Sequence, residues 1–597
     1  MPQSFTTRPE IRGTFGAVTS THWIASTVGF GILEKGGNAF DAAVATGFTL
    51  QIVEPHLNGP GGEVPVIVHA AGEDRPRVLC GQGVAPAAAT IDAIRAQGYD
   101  RMPGMGLTPA VVPGSFDAWM RLLLELGTMR LRDVLEPAIY YAREGYPLVH
   151  RAAEAIHAIA PLFTAEWHHS AEVWVPDGAL PMPGQKVCQP QIADAYQRIL
   201  DESEMAGGGR EAEIEAARRA WYQGFVAETV DRFYRMEQAD GEGGRSTGLL
   251  TGQDFAEWQS SWEETVSTDF HGVTIHKTGP WGQGPALLMA LGMLEARGIA
   301  DVEPGSADWI HLSIEALKRG LADRDAYFGD PDFVDIPLKQ MLSPDYLDAR
   351  AASIGAAASL NLMPGDPWAD GVDRAALLTE LAANPELAAT GVGEPTFADL
   401  PEIEGDTCHL DTVDQWGNLV SATPSGGWLQ SAPAVPGLGF NITTRGQMFW
   451  LDDRLPSHVA PRRRPRTTLT PTVVTKDGKP LVGLGSPGGD QQDQWALGLL
   501  LRHLVQGLNL QAAIDAPLFH SGHYINSFAP RHFTPGVLHI EDRVDPAIRQ
   551  DLMDRGHKLT VQPAWSLGRL CAAGFRRDGM VRAAATPRFV QAYAVGR

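Results

Sequence analysis

The sequence predicts an α+β fold in which stacked β-sheets lie between layers of helices. Three observations support this fold class. Helical patterns dominate the middle of the chain, strands joined by tight polar turns take over after residue 400, and a further helix follows them. The composition agrees, because 44% hydrophobic and 20% charged residues are typical of a globular chain with a sizeable core.

The predicted helices begin near the N-terminus. Ile24, Val28 and Ile32 recur every four residues, and the glycines at 36–37 end the helix that this spacing predicts. Asn38 then caps a second helix, whose many alanines should pack closely and be deeply buried. Further helices are predicted at residues 115–126, 131–144, 191–201, 211–236 and 285–295, whereas the polar segment 240–248 is predicted to be an exposed linker.

The strand signals come in short runs with polar turns between them. Two of these runs, at residues 64–69 and 77–80, come before the middle helices, and a third, at 272–277, comes after them. After residue 407 the pattern predicts two hairpins, 408–414 with 419–423 and 472–475 with 481–484, and then a helix at 491–504. The acidic segment 402–406, just before the first hairpin, is predicted to be exposed.

The charge distribution separates the chain into two parts. Acidic residues exceed basic ones by 71 − 48 = 23, which argues against a role on nucleic acids or anionic membranes. Residues 407–597 hold 20 basic and 14 acidic side chains, and residues 1–406 hold 28 and 57. The C-terminal part is too apolar to be a charged tail, so we interpret the two parts as oppositely charged segments that stay together.

The sequence also predicts a cytoplasmic protein without a metal or another cofactor. No apolar run reaches the length of about 18 residues that spans a bilayer, and the N-terminus lacks the pattern of a secretory signal. The four cysteines lie far apart, which fits neither a disulfide framework nor a CxxC metal site. The histidines show no HExxH spacing.

Three short motifs need an interpretation. The GxGxxG match at 483–488 lacks the βαβ context of a dinucleotide site, but Gly488 and Gly489 at a helix start could present N–H groups to a developing oxyanion. The GxSxG match at 244–248 lies in the polar linker, so a chance match is favoured over a nucleophile elbow. The arginine-rich run 462–466 is interpreted as solvated or subunit-pairing, with carboxylate binding as the lesser alternative.

One segment resembles a known catalytic sequence. Residues 407–414, Thr-Cys-His-Leu-Asp-Thr-Val-Asp, with a Gly-Asn pair at 417–418, resemble the catalytic segment of γ-glutamyltransferases, which are N-terminal-nucleophile (Ntn) hydrolases. Further similar segments follow in order along almost the whole chain, at 17–20, 35–44, 108–114, 322–331, 470–472, 485–489 and 515–517. The chain is therefore identified as a member of this family, and the resemblance implies its four-layer αββα sandwich.

The resemblance also implies a mechanism. Family precursors cleave themselves before a threonine, which here is the Asp406–Thr407 bond, so that segments 1–406 and 407–597 become two paired chains, as a heterodimer or a dimer of heterodimers. The new α-amino group, with an ordinary pKa of about 7.7–8.0, can act as general base for the Thr407 hydroxyl. Gly488 and Gly489 would form the oxyanion hole, and Ser425 would hydrogen-bond the nucleophile. Cys408 should point to the opposite face of its strand and is not expected to be the nucleophile.

The residues that the resemblance assigns to the substrate depart from the family. Gln82, Gly427 and Trp450, the last counted from Gln447, stand where the family has an arginine, an asparagine and an aspartate for the γ-glutamyl head group. The hydroxyl residues that lie near the substrate carboxylate in the family are Thr467 and Thr468 here. The missing charges make an ordinary glutathione enzyme doubtful unless Arg445 or Arg466 replaces them.

Three functions stay open at this point. By family default the substrate is a γ-glutamyl amide, with water or an amine as the acceptor. Another small acyl amide is the alternative, as in family members that act as cephalosporin acylases or small-amide hydrolases. The third candidate is a catalytically silent binding protein, against which the retained Thr407 and the glycines at 488–489 argue.

Overall fold

The described chain consists of helices and two large β-sheets, with smaller sheets beside them. The computed structural model describes residues 5–241, 243–382, 407–529 and 531–597, and the predicted exposed segment 402–406 lies outside them. The helices are α1 (Trp23–Glu34), α2 (Ala39–Val53), α3 (Ile91–Ala96), α4 (Ser115–Leu126), α5 (Leu131–Glu144), α6 (His150–Ala165), α7 (His168–Trp174), α8 (Pro190–Ala206), α9 (Arg210–Tyr222), α10 (Phe225–Tyr234), α11 (Gly252–Glu257), α12 (Gly284–Ala296), α13 (Ala307–Tyr327), α14 (Leu338–Met341), α15 (Pro344–Ala352), α16 (Arg374–Ala382), α17 (Gln492–Leu500), α18 (Leu510–Asp515) and α19 (Pro546–Asp554).

Two seven-stranded sheets contain most of the strands. The first has the order β1-β20-β19-β15-β14-β11-β10 and the second β21-β2-β12-β13-β3-β4-β9. The strand bounds are β1 (Ile11–Gly13), β2 (Gly16–Ser20), β3 (Val64–His69), β4 (Arg77–Gly81), β5 (Tyr146–Pro147), β6 (Lys186–Val187), β7 (Gln238–Ala239), β8 (Arg245–Ser246), β9 (Ser261–Glu264), β10 (Val266–Phe270), β11 (Val273–Lys277), β12 (Leu410–Asp414), β13 (Leu419–Ala422), β14 (Thr472–Lys476), β15 (Lys479–Gly485), β16 (Phe519–Ser521), β17 (Val537–Glu541), β18 (Lys558–Gln562), β19 (Cys571–Phe575), β20 (Val581–Ala585) and β21 (Tyr593–Gly596).

The predicted αββα sandwich is confirmed by the packing of these elements. A buried cluster that includes Ile67 and Val413 of the second sheet and Val473 and Ala583 of the first fills the space between the sheets. The outer face of the second sheet packs on α1, α2 and α4, and the outer face of the first packs on α12 and α17. Helices α5 and α13 pack in turn on α2 and α12. The core therefore has three layers of apolar contact between four layers of structure.

The predicted elements around the hairpins are confirmed, and one predicted helix is wrong. β12 pairs with β13 and β14 with β15, both antiparallel. Asn38 caps α2 as predicted, because its side chain accepts from the N–H groups of Phe40 and Asp41. The predicted helix 211–236 is divided into α9 and α10, since Gly224 has an extended conformation with φ −116° and ψ −147°. The predicted linker 240–248 includes β8, which pairs with β7.

Both sheets contain strands from before residue 383 and strands from after residue 406. β2 lies between β12 and β21, and β3 pairs with β13 on the other side. In the other sheet β1 pairs with β20 and β11 with β14. Shared sheets, rather than charge alone, thus hold the two segments together. None of the helices within the described residues is long and apolar enough to cross a membrane.

Candidate active site around Thr407

Thr407 lies just before β12 at the junction of the two segments. It forms an antiparallel bridge with Ser425, which follows β13. The hydroxyl oxygens of these two residues are 3.2 Å apart, and only 2% of the Thr407 surface is exposed. The hairpin therefore brings together the two hydroxyl residues that the sequence predicted to act together, although 18 positions separate them in the chain.

Behind Ser425 lies a buried ion pair. Arg445 donates from Nη2 to Ser425 Oγ at 2.8 Å and from Nε to Glu63 Oε1 at 2.6 Å. Neither Arg445 nor Glu63 is exposed, and the Arg445 guanidinium lies 4.9 Å from the ring centroid of Trp428. Burial raises the pKa of Glu63, and the adjacent Arg445 opposes that rise. Because arginine can only donate, Ser425 Oγ is fixed as the acceptor of this bond.

A second buried carboxylate binds Cys408 on the far side of the strand. The Cys408 thiol donates to Glu54 Oε2 at 3.0 Å, and Glu54 also accepts from Thr21 and Gln591. Burial, followed by the neighbouring Glu54, raises the pKa of the Cys408 thiol. A neutral thiol that donates away from Thr407 is a poor nucleophile, since the thiolate is the reactive form.

We expect Cys408→Ala to retain most of the turnover of the parent protein. The change removes one donor to Glu54 and should lower the free energy of unfolding by about 1–3 kcal/mol. Steady-state kinetics and thermal unfolding of the same samples check both expectations. Cys408→Ser is the matched control, because it keeps a donor while removing the thiol. Abolished turnover in both variants, with normal folding, would assign the nucleophile to the thiol.

The glycine loop between β15 and α17 has a backbone conformation that requires glycine. Gly488 has φ +126°, and a Cβ there would lie 2.7 Å from the ring of Trp495, so only glycine fits. The carbonyl of Gly488 accepts from the Gln492 amide, and that of Gly489 accepts from Gln283 Nε2 at 3.3 Å. Among the described residues neither glycine N–H has an acceptor. The peptide groups are thus held by their carbonyls, with their donors unused.

Contacts through Arg569 connect this loop to Thr407. The backbone N–H of Arg569 donates to Ser486 Oγ at 3.0 Å, and its Nη2 donates to the Thr407 carbonyl at 3.4 Å. Gly485 is also adjacent to His409, two residues after Thr407, because a Cβ on Gly485 would lie 2.4 Å from the His409 ring. The loop and Thr407 are therefore neighbours.

The three residues that depart from the family occupy different environments. Gln82 is buried beside Glu63, since Val64 pairs with Gly81, and its Oε1 has no partner in the described parts of the chain. Gly427 has φ +66°, and a Cβ there would lie 3.0 Å from the Asn441 carbonyl oxygen, so its backbone conformation and the close neighbouring backbone both favour glycine. Trp450 lies under the Arg531 guanidinium, 4.1 Å from its ring centroid.

Thr467 and Thr468, which the resemblance places near the substrate carboxylate, directly follow the arginine-rich run. Thr467 forms a parallel bridge with Gly282, and its Oγ1 accepts from the N–H of Leu469 at 3.3 Å. Thr468 Oγ1 and Gln447 Oε1 are buried and have no partner among the residues the structure describes. Of the two threonines, Thr468 is the one whose hydroxyl is unused.

Other predicted features lie elsewhere or differ from expectation. Ser246 of the GxSxG match is buried against Thr108, with 3.0 Å between their hydroxyl oxygens. The solvated interpretation of the run 462–466 is wrong, because its arginines at 463, 464 and 466 are at most 7% exposed. Arg464 pairs with Asp330 at 2.7 Å, an ion pair that joins the two segments.

One group of potential metal ligands was not predicted from sequence patterns. Donor atoms of His311, Glu315 and His557 all lie within 4.8 Å of one another. Glu315 is already paired with Lys318 at 2.7 Å and with Arg319 at 2.9 Å. Because two cations neutralise this carboxylate, the group forms a buried ion-pair network.

Comparisons with known proteins agree with this geometry. The family model for gamma-glutamyltranspeptidase matches residues 25–596. The chain is similar to the glutathione hydrolase-like YwrD proenzyme of Bacillus subtilis (strain 168), with 30% identity over 96% of this chain and 97% of that protein. A solved structure named LmbA2991HD is 47% identical, with a TM-score of 0.92 and full coverage of both chains. Cephalosporin acylase from Bacillus halodurans is 27% identical, with a TM-score of 0.81 over 100% of this chain and 98% of that one.

Proposed function

The chain belongs to the γ-glutamyltranspeptidase family of Ntn hydrolases, and on that premise we propose that it is an autoprocessing amidohydrolase with Thr407 as its nucleophile. The observation that carries the proposal is the buried Thr407 hydroxyl, 3.2 Å from Ser425 Oγ, next to a glycine loop with unused N–H donors. Asp406, the other side of the proposed cleavage site, lies outside the described residues.

The proposed maturation is an acyl shift followed by hydrolysis. Thr407 Oγ attacks the Asp406 carbonyl carbon, the peptide C–N bond breaks, and an ester forms while the Thr407 nitrogen takes up the proton. Water then cleaves the ester, which leaves a carboxylate on Asp406 and restores the hydroxyl of Thr407. The products are the two paired chains 1–406 and 407–597. The word proenzyme in the name of the Bacillus subtilis relative supports such processing.

Turnover would use the Thr407 hydroxyl as nucleophile and the α-amino group of Thr407, freed by the cleavage, as general base. The amine accepts the hydroxyl proton as Oγ attacks the acyl carbon, and it then returns the proton to the leaving amine. The N–H groups of Gly488 and Gly489 would stabilise the oxyanion, each donor contributing about 2.7–4 kcal/mol. Water resolves the acyl-enzyme ester, or an amine does so in a transfer reaction.

Two arginines set the electrostatics of the proposed base. Arg569 donates to the Thr407 carbonyl, and Arg445 donates to the Ser425 hydroxyl that neighbours Thr407 Oγ1. Positive charge so close to an amine disfavours its protonated form and so favours the neutral base at neutral pH. Glu63 offsets part of the Arg445 charge, with 2.6 Å between Arg445 Nε and Glu63 Oε1.

For the substrate we propose an acyl amide other than a γ-glutamyl amide. Gln82, Gly427 and Trp450 supply no charge to a head group that carries both a carboxylate and an ammonium. The similarity to a cephalosporin acylase over the whole chain is compatible with this choice, as that name denotes a different acyl substrate. The retained nucleophile and glycine loop favour an enzyme over a silent binding protein.

Intact-mass measurement of purified protein tests the proposal. We expect two chains of 406 and 597 − 406 = 191 residues, whose masses sum to that of the precursor plus one water. Incubation of freshly made precursor should show their formation without added protease. An uncut chain that nevertheless hydrolyses amides would contradict the N-terminal amine mechanism.

A further inference from the structure

A chain of three buried side chains leads to the candidate nucleophile. Glu63 Oε1 accepts from Arg445 Nε at 2.6 Å, and Arg445 Nη2 donates to Ser425 Oγ at 2.8 Å. Ser425 Oγ in turn lies 3.2 Å from Thr407 Oγ1. Glu63, Arg445 and Ser425 are fully buried, and Thr407 is 2% exposed. The hydrogen bonds of this chain therefore lie away from bulk water, where the surroundings screen them little.

The Arg445 guanidinium is held in one orientation. Its central carbon lies 4.9 Å from the ring centroid of Trp428 and 5.6 Å from that of Phe528. The hydrogen bond from Nε to Glu63 fixes the rotation of the planar group between these rings. Nη2 is therefore a charged donor in a fixed position at Ser425 Oγ.

The charge on Arg445 restricts the direction in which these hydrogen bonds can run. A guanidinium has donors only, so Ser425 Oγ accepts from Arg445, and the hydroxyl hydrogen of Ser425 is directed elsewhere. Between the hydroxyls of Ser425 and Thr407 either oxygen could be the donor. In both proposed reactions the hydroxyl hydrogen of Thr407 moves to the Thr407 nitrogen, so Ser425 has to be the donor to Thr407 Oγ1. Donation then runs from Arg445 to Ser425 and from Ser425 to Thr407.

This direction favours attack by Thr407. Negative charge develops on a hydroxyl oxygen as its hydrogen leaves, and a donor placed at that oxygen stabilises the charge. A hydroxyl that itself accepts from a cation is a stronger donor, because hydrogen bonds in a chain polarise one another. Glu63 compensates the charge of Arg445, which would otherwise be costly to bury.

We propose that Glu63 and Arg445 are positioning residues that act on Thr407 through Ser425. This inference rests on the proposed function, in which Thr407 is the nucleophile, and adds how its hydroxyl is prepared for both reactions. Thr407 Oγ1 bonds to the acyl carbon while its hydrogen moves to the Thr407 nitrogen. The hydrogens of Arg445 and Ser425 stay on their own atoms throughout.

A double-mutant cycle on the rate of self-cleavage tests this arrangement. The pair is removed as Glu63→Gln with Arg445→Met, because removal of one partner alone would leave an uncompensated buried charge. We expect this variant to cleave about 10- to 100-fold more slowly than the wild type, the range of one charge-assisted hydrogen bond. In a Ser425→Ala chain the same removal should change the rate less than about twofold, since its effect passes through the missing hydroxyl. Intact mass measured over time gives each rate.

Another buried ion pair provides the matched control. Arg350 Nη2 lies 3.1 Å from Asp323 Oδ1, with side-chain exposures of 10% and 0%. Arg350→Met with Asp323→Asn should cleave at the wild-type rate. A second cycle covers a Ser425→Ala chain that cleaves too slowly to time. In a Thr407→Cys chain, removal of Glu63 and Arg445 should change the rate less than about twofold, because sulfur is a weak hydrogen-bond acceptor.

Circular dichroism shows whether each variant folds. If the double change does not fold, Arg445→Lys provides the same cycles, since it keeps the charge but loses the forked donor geometry. A folded pair variant that cleaves at the wild-type rate would overturn the positioning role. Equal fold losses with and without the Ser425 hydroxyl, or with and without the Thr407→Cys change, would also overturn it. A wild-type chain that stays uncut would instead overturn the proposed function.

Discussion

Thr407→Ala should leave the chain uncut and lower amide turnover by at least about 10⁴-fold, as expected for removal of a nucleophile. The variant lacks the oxygen that attacks in both proposed reactions. The change should cost little stability, because the Thr407 hydroxyl contacts Ser425 Oγ at 3.2 Å, the longer end of the hydrogen-bond range. Gel electrophoresis and intact mass report the cleavage, and single-turnover kinetics report the chemistry.

Thr407→Ser is the matched control for that loss. It keeps the hydroxyl and the amine, so it should still cleave itself and retain measurable turnover. With the parent protein, a slow amide or ester substrate should leave an acyl group on the 191-residue chain, which mass spectrometry of the separated chains would detect. Turnover by Thr407→Ala at a rate near that of the parent would remove Thr407 from the mechanism.

The second large effect is expected from the substrate head group. Glutathione and γ-glutamyl anilides should be turned over weakly, because Gln82, Gly427 and Trp450 cannot form ion pairs with the carboxylate and ammonium of the γ-glutamyl group. Each lost charge-assisted contact costs about 1.5–3 kcal/mol, so two of them lower kcat/KM by roughly 10²–10⁴-fold. The measurement compares γ-glutamyl and glutaryl p-nitroanilide, which differ only in the α-ammonium group.

The outcome of that comparison separates the substrate proposals. A glutathione kcat/KM near about 10⁴ M⁻¹s⁻¹ or above would show that the missing charges are replaced and that the enzyme uses γ-glutamyl amides. Gln82→Arg with Trp450→Asp should raise γ-glutamyl turnover, although Arg531 stacks on Trp450 and would compete for the new carboxylate. The same double change should not raise turnover of the glutaryl substrate.

Local sequence patterns predicted most of the fold. Hydrophobic periodicity, helix-capping residues and turn residues all depend on neighbours in the sequence. These signals correctly indicated α1, α2 and both hairpins. The break between α9 and α10 was missed because a single glycine inside a helical pattern can be tolerated, and its conformation depends on the packing around it. The resemblance to a family, not periodicity, implied the four-layer arrangement.

The site was predicted in part, and the missed residues share one physical cause. Thr407, Ser425 and the glycine loop lie in recognisable segments. Glu63 and Glu54 are isolated acidic residues in the sequence. Their roles arise only in the folded chain, where Glu63 binds Arg445, 382 positions away, and Glu54 binds Cys408, 354 positions away. One signal was the position of Glu63 just before a strand that is apolar up to its last residue, His69, since a carboxylate buried there needs a partner.

The sharing of both sheets by the two segments has a consequence for how the protein can be made. An uncut chain folds in a unimolecular step, in which β2 can insert between β12 and β21 while all three are covalently joined. After the proposed cleavage the same insertion requires two molecules to meet, so refolding becomes dependent on concentration. Loss of either fragment would leave the other with incomplete sheets and exposed strand edges, which aggregate readily. The processed enzyme would then owe its persistence to slow unfolding rather than to reversible equilibrium.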